Sequence, residues 1–308
     1  MRIILKTIPC FGTATKMTDK IIFFGTENFS ALTLQQLLND GYNIEAVVTK
    51  PDFRRGRGKA LEEPLVKKIA QKNSIPVLQP ENSTELLEFL EPFTKSIGVL
   101  VSYGKIISEN VIKLFTHGII NLHPSLLPKY RGPSPIENAI LSGDNYTGVS
   151  IMLLDKGMDS GPVFAFEEVH VEDFEDAKDL YDKLGKIGAK LMSNVLPKII
   201  SGELQATPQY SADASYTKML KKEDGLLDPT AFSANQLVQQ IKAQIIYPKS
   251  FIQFNNERLI VKKAHASNHS EHALSVPTKD GDYLTIESLI NKNGKLITAN
   301  DYINSMFS

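Results

Sequence analysis

The sequence contains one cysteine, Cys10, and no tryptophan. A single thiol excludes an internal disulfide, a Cys-x-x-Cys redox pair and a cysteine-rich zinc site. Small extracellular domains commonly depend on disulfides, whereas the thiols of cytosolic proteins stay reduced. We therefore expect a protein of the cytoplasm.

Long hydrophobic runs are also missing. No stretch reaches the roughly 18 consecutive apolar residues that a membrane-spanning helix needs, and Lys6 and Pro9 interrupt the N-terminal apolar positions before they reach signal-peptide length. We treat residues 1–16 as an N-terminal extension, with translation beginning at Met17. Because these residues lack acidic side chains, an organelle-targeting segment is the alternative.

The chain has almost no net charge, since 34 Lys and Arg residues face 35 Asp and Glu residues. Charge over the whole molecule therefore does not indicate a nucleic-acid partner, although a local basic patch can exist within this balance. The length of 308 residues and the hydrophobic fraction of 42% are sufficient for two domains with buried cores.

Familiar cofactor and nucleophile motifs are absent. Gly25 stands alone after the first strand-like run, whereas a dinucleotide site needs G-x-G-x-x-G, and the phosphate loop G-x-x-x-x-G-K-[ST] does not occur. No Ser or Cys lies in a G-x-S-x-G context. These absences disfavour NAD and ATP sites and covalent catalysis, and the sparse histidines predict no metal site.

Strand-like and helical patterns alternate over the first two thirds of the chain. The apolar runs cover residues 20–26, 43–50, 75–80, 96–105, 118–124 and 148–155, and a long helix is predicted over 176–200. Short apolar runs are typical of strands buried on both faces, and their alternation with helices indicates a parallel sheet. We predict an α/β fold with a Rossmann-like, doubly wound, mostly parallel sheet in a catalytic domain of residues 17–206.

The remainder of the chain has a different pattern. Residues 207–222 are polar, and Pro208 supports their interpretation as a linker. A helix near 233–245 is followed by short alternating runs with turn signals between them, which is typical of a small antiparallel barrel. We predict a second, C-terminal domain over residues 223–308.

Asn121 and His123 lie two residues apart at the end of the fifth strand-like run. Both side chains therefore point to one face, and an open parallel sheet binds its ligands beyond the carboxyl ends of its strands. An amide donor beside an imidazole is suited to stabilising an oxyanion on a carbonyl under attack. A hydrogen-bonded polar pair that caps the strand is the alternative.

An acidic side chain is available from the next strand end, where D-K-G-M-D-S-G-P contains Asp155 and Asp159. A carboxylate close to His123 would orient the imidazole ring and favour its charged form. The alternative role for Asp159 is to cap a turn.

Asn121, His123 and Asp159, with Ser-Leu-Leu-Pro at 125–128 and Arg-Gly at 131–132, resemble the signature of the formyltransferases that use 10-formyltetrahydrofolate. The resemblance extends from about residue 20 to the end of the long helix. It implies that the first three residues are the catalytic trio and that no metal is needed. It further implies that the folate pocket is lined by Ser125, Leu126, Leu127 and Pro128. Tyr103, at another strand end, is a further candidate for this pocket.

The acceptor has to be inferred from a different segment, because family members formylate glycinamide ribonucleotide, sugar nucleotides or methionyl-tRNA. Residues 49–68 carry seven basic and three acidic side chains, and Gly56 and Gly58 flank Arg57. Such a loop can close over a phosphate backbone, with a solvated charged loop as the alternative. Its P-D-x-x-x-G-R-G-K pattern resembles the insertion loop of the methionyl-tRNA branch, which implies tRNA binding by Arg55, Arg57 and Lys59.

The C-terminal region loosely resembles the second domain of the same branch, an OB-like barrel that contacts tRNA. It departs from the pattern in having Tyr247 where a tryptophan-type aromatic is expected. From residue 210 onward, 11 basic residues face 10 acidic ones, so the charge of this domain gives little support for tRNA binding.

The resemblance as a whole implies transfer of the formyl group of 10-formyltetrahydrofolate to initiator methionyl-tRNA in translation initiation. The expected partners are that tRNA and the folate co-substrate, with no membrane, and the protein is expected to be a monomer. An amino-sugar nucleotide N-formyltransferase is the first alternative. A catalytically silent tRNA-binding module is the second.

Overall fold

The computed structural model describes residues 19–55, 60–93, 95–171, 174–272 and 274–306. The predicted extension, residues 1–16, lies outside the described residues. The chain divides into two compact units, Met1–Ile120 and Asn121–Ser308, and the boundary falls within one strand. No helix in the described part of the chain is long and apolar enough to cross a membrane.

The first unit contains a parallel sheet with strand order β5-β2-β1-β6. Its elements are β1 Lys20–Gly25, α1 Asn28–Asn39, β2 Asn43–Val48, β3 Phe53–Arg55, β4 Ala60–Glu62, α2 Leu65–Lys72, β5 Val77–Leu78, α3 Ser83–Leu90, β6 Ile97–Val101, α4 Glu109–Ile112 and the start of β7, Ile119–His123. The central strands form because their apolar side chains are buried on both faces, as for Ile21 to Phe24 and for Ala46 to Val48.

The basic segment forms an antiparallel hairpin, which we call the basic hairpin and which comprises residues 53–62. Strands β3 and β4 pair with the register Phe53↔Glu62 and Arg55↔Ala60. Two apolar side chains of this hairpin, Phe53 and Leu61, are exposed. Arg57 and Lys59, two of the three predicted tRNA-binding residues, lie outside the described residues.

The second unit begins within β7 and places β8 and β9 beyond it in the order β7-β8-β9. Its elements are α5 Pro135–Leu141, β8 Tyr146–Leu153, β9 Val163–His170, α6 Ala177–Ile200, α7 Ala234–Ala243, β10 Phe251–Phe254, β11 Glu257–Ser267, β12 Ser275–Pro277, β13 Tyr283–Ile290, β14 Leu296–Thr298 and α8 Ala299–Met306. β8 and β9 are antiparallel, so the sheet is mostly but not wholly parallel, as the sequence predicts.

Helix α6 supports the strand that carries the polar pair. The Asp176 side chain accepts hydrogen bonds from the Lys178 and Asp179 backbone N–H groups and so caps the helix. On its buried face, Gly188 packs against β7, because a Cβ at this position would lie 2.8 Å from Leu122 Cδ1. A larger residue at 188 would displace the buried Leu122 side chain of β7.

The C-terminal strands form one antiparallel sheet of order β10-β11-β13-β12, with β14 also paired to β13. Its buried face packs with Leu237 and Ile241 of α7 and Tyr302 of α8 into one hydrophobic cluster. The predicted separate antiparallel arrangement is confirmed. The OB-like identity of this sheet stays a prediction.

Candidate active site

Strand β7 places Asn121 and His123 on one face, as their spacing predicts. Both residues are only 5% exposed, and both follow buried apolar neighbours. Within the described part of the chain, the Asn121 side-chain amide makes no hydrogen bond. The amide is therefore available to bind a substrate oxygen.

The His123 ring is oriented through its Nε2 atom, which lies 3.0 Å from the Tyr130 carbonyl oxygen. A carbonyl oxygen can only accept, so Nε2 must carry a proton and donate it to Tyr130. The other nitrogen, Nδ1, lies 3.6 Å from Asp159 Oδ2, which is longer than a hydrogen bond. Nδ1 is therefore the ring nitrogen left to act on a substrate or to receive a proton.

Asp159, rather than Asp155, faces His123. Its Oδ2 accepts a hydrogen bond of 2.8 Å from the Gly132 backbone N–H, which is far away in sequence. Asp155 instead accepts from the Gly157 backbone N–H at 3.0 Å and from the Ser160 hydroxyl at 2.9 Å, both within its own turn. Asp155 thus caps this turn, and the catalytic role of Asp159 stays a prediction.

The segment after β7, residues 124–134, is called here the site turn. Ser125 Oγ donates to Lys129 O at 2.6 Å, which closes the turn on itself. From β8, Ser150 Oγ donates to Ser125 O at 2.7 Å and accepts from Leu127 N at 3.1 Å. The Ser125 hydroxyl thus donates its proton inside the site turn. Ser150 of β8 holds the backbone of Ser125 and Leu127, two of the predicted folate-binding residues.

Leu126 is the member of that set with an open surface beside it. It lines a pocket of about 280 Å³ together with Lys129, Tyr130, Asp144, Tyr146, Thr147 and Glu168. Asn121, His123 and Asp159 are not among the residues that line this pocket. The assignment of Ser125, Leu126, Leu127 and Pro128 to folate binding stays a prediction.

Tyr130 connects this pocket to the imidazole. Its hydroxyl donates to Asp144 Oδ2 at 2.9 Å and its backbone N–H donates to Ser215 Oγ at 2.8 Å. Burial raises the pKa of the Tyr130 hydroxyl, so it remains a hydrogen-bond donor. These bonds fix the residue whose carbonyl oxygen accepts from His123.

Two further residues lie next to Asp159: Arg131, part of the sequence motif but given no role there, and Gln209, which the sequence did not single out. The guanidinium of Arg131 is buried and donates to the Gln209 side-chain oxygen, and Gln209 in turn donates to the Asp159 carbonyl. Gln209 belongs to the segment predicted as a linker. Its lone position in a polar stretch offers no local signal, because its partners lie 50 and 78 residues away in sequence.

Tyr103 lies in the first unit and is described apart from the trio. Its ring is 1% exposed and packs edge-on against Phe24, with 5.8 Å between ring centroids. Burial raises the pKa of its hydroxyl to about 12, and within the described residues this hydroxyl has no hydrogen-bond partner. Its predicted role in the folate pocket stays a prediction.

Among the described residues, no group of three or more His, Cys, Asp or Glu side chains could hold a metal ion. His265 instead bridges two carboxylates, Glu271 at 2.9 Å and Glu287 at 3.0 Å. Hydrogen bonds to Glu271 and then Glu287 raise the pKa of His265. This cluster is a set of ion pairs on the C-terminal sheet.

The geometry of the trio is suited to acyl transfer. Asn121 and His123 share one strand face, and the Asp159 carboxylate faces the imidazole. In a site of low exposure, donors aimed at a developing negative charge are most effective.

Comparisons with known proteins agree with this chemistry. Residues 19–196 match the family described as formyl transferase. A methionyl-tRNA formyltransferase of Sulfurihydrogenibium sp. is 36% identical over 92% of this chain and 96% of its own length, and one of Chloroflexus aggregans is 40% identical over 80% of each chain.

The fold recurs in the solved structure of an N-formyltransferase from Helicobacter canadensis with folinic acid and dTDP-3-aminofucose. That structure matches with a TM-score of 0.68 at 20% identity, over 87% of this chain and 99% of that one. At this identity the likeness concerns the fold alone. The family match and the similarity to the curated relatives carry the assignment, and the chain belongs to the methionyl-tRNA formyltransferase family of formyl transferases.

Proposed function

We propose that this enzyme transfers the formyl group of 10-formyltetrahydrofolate to the free α-amino group of initiator methionyl-tRNA, for translation initiation in the cytoplasm. The observation that carries the proposal is the Asn121 side chain, which is 5% exposed and makes no hydrogen bond within the described residues, on the same strand face as His123, whose Nδ1 faces Asp159. This set fits the carbonyl of a formamide, which needs hydrogen-bond donors for its oxygen.

In the proposed reaction the acceptor nitrogen attacks the formyl carbon and forms the new C–N bond. The formyl oxygen gains negative charge, and the Asn121 amide and protonated His123 donate to it. Because Nε2 is held by Tyr130 O at 3.0 Å, the proton offered to the oxyanion lies on Nδ1. The C–N bond to the folate then breaks, and the oxyanion returns to a carbonyl.

Asp159 has two tasks in this mechanism. Its carboxylate lies 3.6 Å from Nδ1, so it helps to keep the imidazole turned towards the reaction. It also accepts the proton that the acceptor amine loses on attack, directly or through water. The folate nitrogen leaves protonated, which balances that proton.

The two substrates approach through separate predicted elements. Leu126, Leu127 and Pro128 of the site turn supply an apolar wall for the folate ring. The basic hairpin supplies phosphate contacts through Arg55, Arg57 and Lys59, and the C-terminal sheet, as an OB-like domain, supplies a second tRNA contact. Phosphate contacts of this kind give affinity that falls with salt.

Extended similarity supports tRNA as the acceptor. The relatives named for methionyl-tRNA match at 36% and 40% identity, and the first of them covers 92% of the chain. The structure with an amino-sugar nucleotide matches at 20% identity. The amino-sugar alternative therefore rests on the shared fold, at a lower sequence identity than these relatives have.

The test is to incubate the full chain with 10-formyltetrahydrofolate and equal concentrations of charged initiator methionyl-tRNA or dTDP-3-aminofucose. We expect formylated methionine on the tRNA by mass analysis and no formylated sugar. Asn121→Ala serves as the control for transfer that does not use the site. Formylation of the sugar nucleotide alone would overturn the proposed acceptor, and transfer at the wild-type rate by Asn121→Ala would overturn the proposed site.

A further inference from the structure

Arg131 in the site turn is a buried cation with unusual partners. It is 2% exposed, and within the described residues no carboxylate lies at ion-pair distance from its guanidinium. Its partners are neutral: Nε and Nη2 donate to Gln209 Oε1 at 3.0 and 2.8 Å, and Nη1 donates to the Tyr216 hydroxyl at 3.1 Å. Burying a charge without an opposite charge is costly, so a specific role for this contact is indicated.

The Gln209 amide links Arg131 to residues 155–162, which contain Asp159 and are called here the carboxylate turn. Its Nε2 donates to Asp159 O at 2.8 Å and to Gly161 O at 2.7 Å. The oxygen thus accepts two bonds from a cation and the nitrogen donates two bonds to the turn. A cation on the oxygen polarises the amide and strengthens its N–H donors, because bonds in a chain reinforce each other at low dielectric.

Asp159 needs such support because of its backbone. Its φ is +47°, in the left-handed region that few non-glycine residues occupy. This conformation persists only where the surroundings hold it. The held carbonyl and the carboxylate belong to the same residue, so fixing the carbonyl also aims Oδ2 at Gly132 N and at His123 Nδ1.

The backbone of Arg131 is also hydrogen-bonded to the segment that follows Gln209 in sequence. Arg131 N donates to Ser215 O at 2.9 Å, and Thr217 N donates to Arg131 O at 2.8 Å. Gly132, next in sequence, has no room for a side chain, since a Cβ there would lie 2.8 Å from Thr217 Oγ1. Residues 209–217 therefore hold both the donor and the acceptor of the bond from Gly132 to Asp159.

We propose that Arg131 and Gln209 are positioning residues for formyl transfer: the guanidinium fixes the Gln209 amide, and this amide holds the Asp159 carboxylate opposite His123. Neither side chain touches the reacting atoms. The inference rests on the proposed function only in that formyl transfer is the reaction measured, and it holds for either acceptor.

The decisive variant is Gln209→Glu. A carboxylate still accepts from Arg131, but it replaces both N–H donors with an oxygen that faces two carbonyls. We expect kcat to fall about 10- to 100-fold, as is typical when a reacting group is misplaced by about 1 Å, with both KM values within about twofold of wild type. Gln205→Glu is the matched control, because its exposed amide donates only to Gly202 O, and it should leave kcat unchanged.

A double-mutant cycle separates positioning from general damage. If Gln209 acts through Asp159, adding Gln209→Glu to Asp159→Asn should lower kcat by less than about twofold further. If the two substitutions acted independently, the fold-losses in kcat of the single variants would multiply in the double variant. Arg131→Lys keeps the charge but loses the two-nitrogen contact, so it should give a smaller loss that is also masked by Gln209→Glu.

A measurement without catalysis completes the experiment. Hydrogen exchange of the backbone amides in 155–162 should be faster in Gln209→Glu than in wild type, with exchange outside residues 155–162 and 209–217 unchanged. Wild-type kcat in Gln209→Glu, or full multiplication of the losses in the cycle, overturns the proposal. If wild type formylates only the sugar nucleotide, the same ratios are measured with it. If it formylates neither acceptor, the proposed function fails, and unchanged exchange in 155–162 would overturn the positioning separately.

Discussion

The site turn and the basic hairpin both follow a buried strand, but they are built in opposite ways. In the site turn Ser125, Arg131 and Ser134 are almost fully buried and their polar atoms are hydrogen-bonded. The basic hairpin has two strands of three residues and exposes Phe53 and Leu61. This difference matches the proposed roles, because a chemical step needs groups fixed in advance, whereas binding of a polyanion depends mainly on charge.

The largest effect on kcat is expected when the polar side chains at the end of β7 are removed. Asn121→Ala and His123→Ala should each lower kcat about 10²- to 10³-fold, because both side chains act on charge that develops in the transition state. Folate and tRNA affinity should change little, since neither side chain supplies most of the binding. Steady-state kinetics with each substrate varied checks this. Near wild-type kcat in His123→Ala would show that the imidazole caps the strand only.

The second-largest effect is expected from Ser150, whose hydroxyl is hydrogen-bonded to the backbone of the site turn. Ser150 is fully buried, and Ser150→Ala leaves Leu127 N and Ser125 O without this partner. Each buried group left unpaired costs about 1 to 3 kcal/mol, so the free energy of unfolding and kcat should both fall. Urea unfolding measures the first effect. Ser201→Ala, which removes an exposed hydroxyl bonded to Lys198 O, is the control, and equal losses in both variants would contradict the prediction.

Substitutions in the basic hairpin should have smaller effects, and these should fall on tRNA binding and not on folate binding. Arg57→Ala should raise KM for charged tRNA and flatten the slope of log affinity against log salt by about one unit, because one phosphate contact is lost. Lys59→Ala and Arg55→Ala should do so more mildly. Folate KM should stay constant. An unchanged salt slope would make the hairpin a solvated insertion and would favour the amino-sugar alternative.

The smallest effect concerns a buried carboxyl on α5, just after the site turn. Glu137 Oε1 accepts from the Tyr181 hydroxyl at 3.0 Å, while Oε2 has no partner within the described residues. Burial raises the pKa of Glu137. The folded state therefore binds this proton more tightly than the unfolded state, and stability is lost as pH rises above the ordinary pKa of glutamate.

Glu137→Gln removes that dependence. Its Tm should exceed that of wild type by about 2 °C at pH 8, with a smaller gap at pH 5, where the carboxyl is protonated more often. Calorimetry at both pH values checks this. A gap that is equal at the two pH values, or a lower Tm in the variant, would show that the carboxylate is stabilised by its surroundings.

Local patterns were sufficient to predict the core of the sheet and the polar pair. Asn121 and His123 share a face because side chains alternate along a strand, and the strand itself is marked by Ile119, Ile120 and Leu122. Helix α6 runs from Ala177 to Ile200, close to its prediction, because its apolar face and its Asp176 cap are both local signals.

Other elements gave weaker signals. β9 was not predicted, because most of its side chains are at least partly exposed and its pattern does not alternate regularly. The run at 75–80 yields a strand of only two residues, β5, since Pro76 and Pro80 flank it. The Arg131–Gln209 contact could not be read from the sequence, because it joins residues 78 positions apart.

The bonds from Gln209, Ser215 and Thr217 have a consequence for where this enzyme can be cut. The stretch that matches the formyl transferase family ends at residue 196, yet the carboxylate turn and the site turn are held from residues 209–217. The hydrogen-bonded frame around Asp159 and the site turn therefore extends beyond the family boundary. A graft or truncation that ends at the last residue of α6 would remove these bonds, so we expect a transplanted unit to need the chain at least to Thr217.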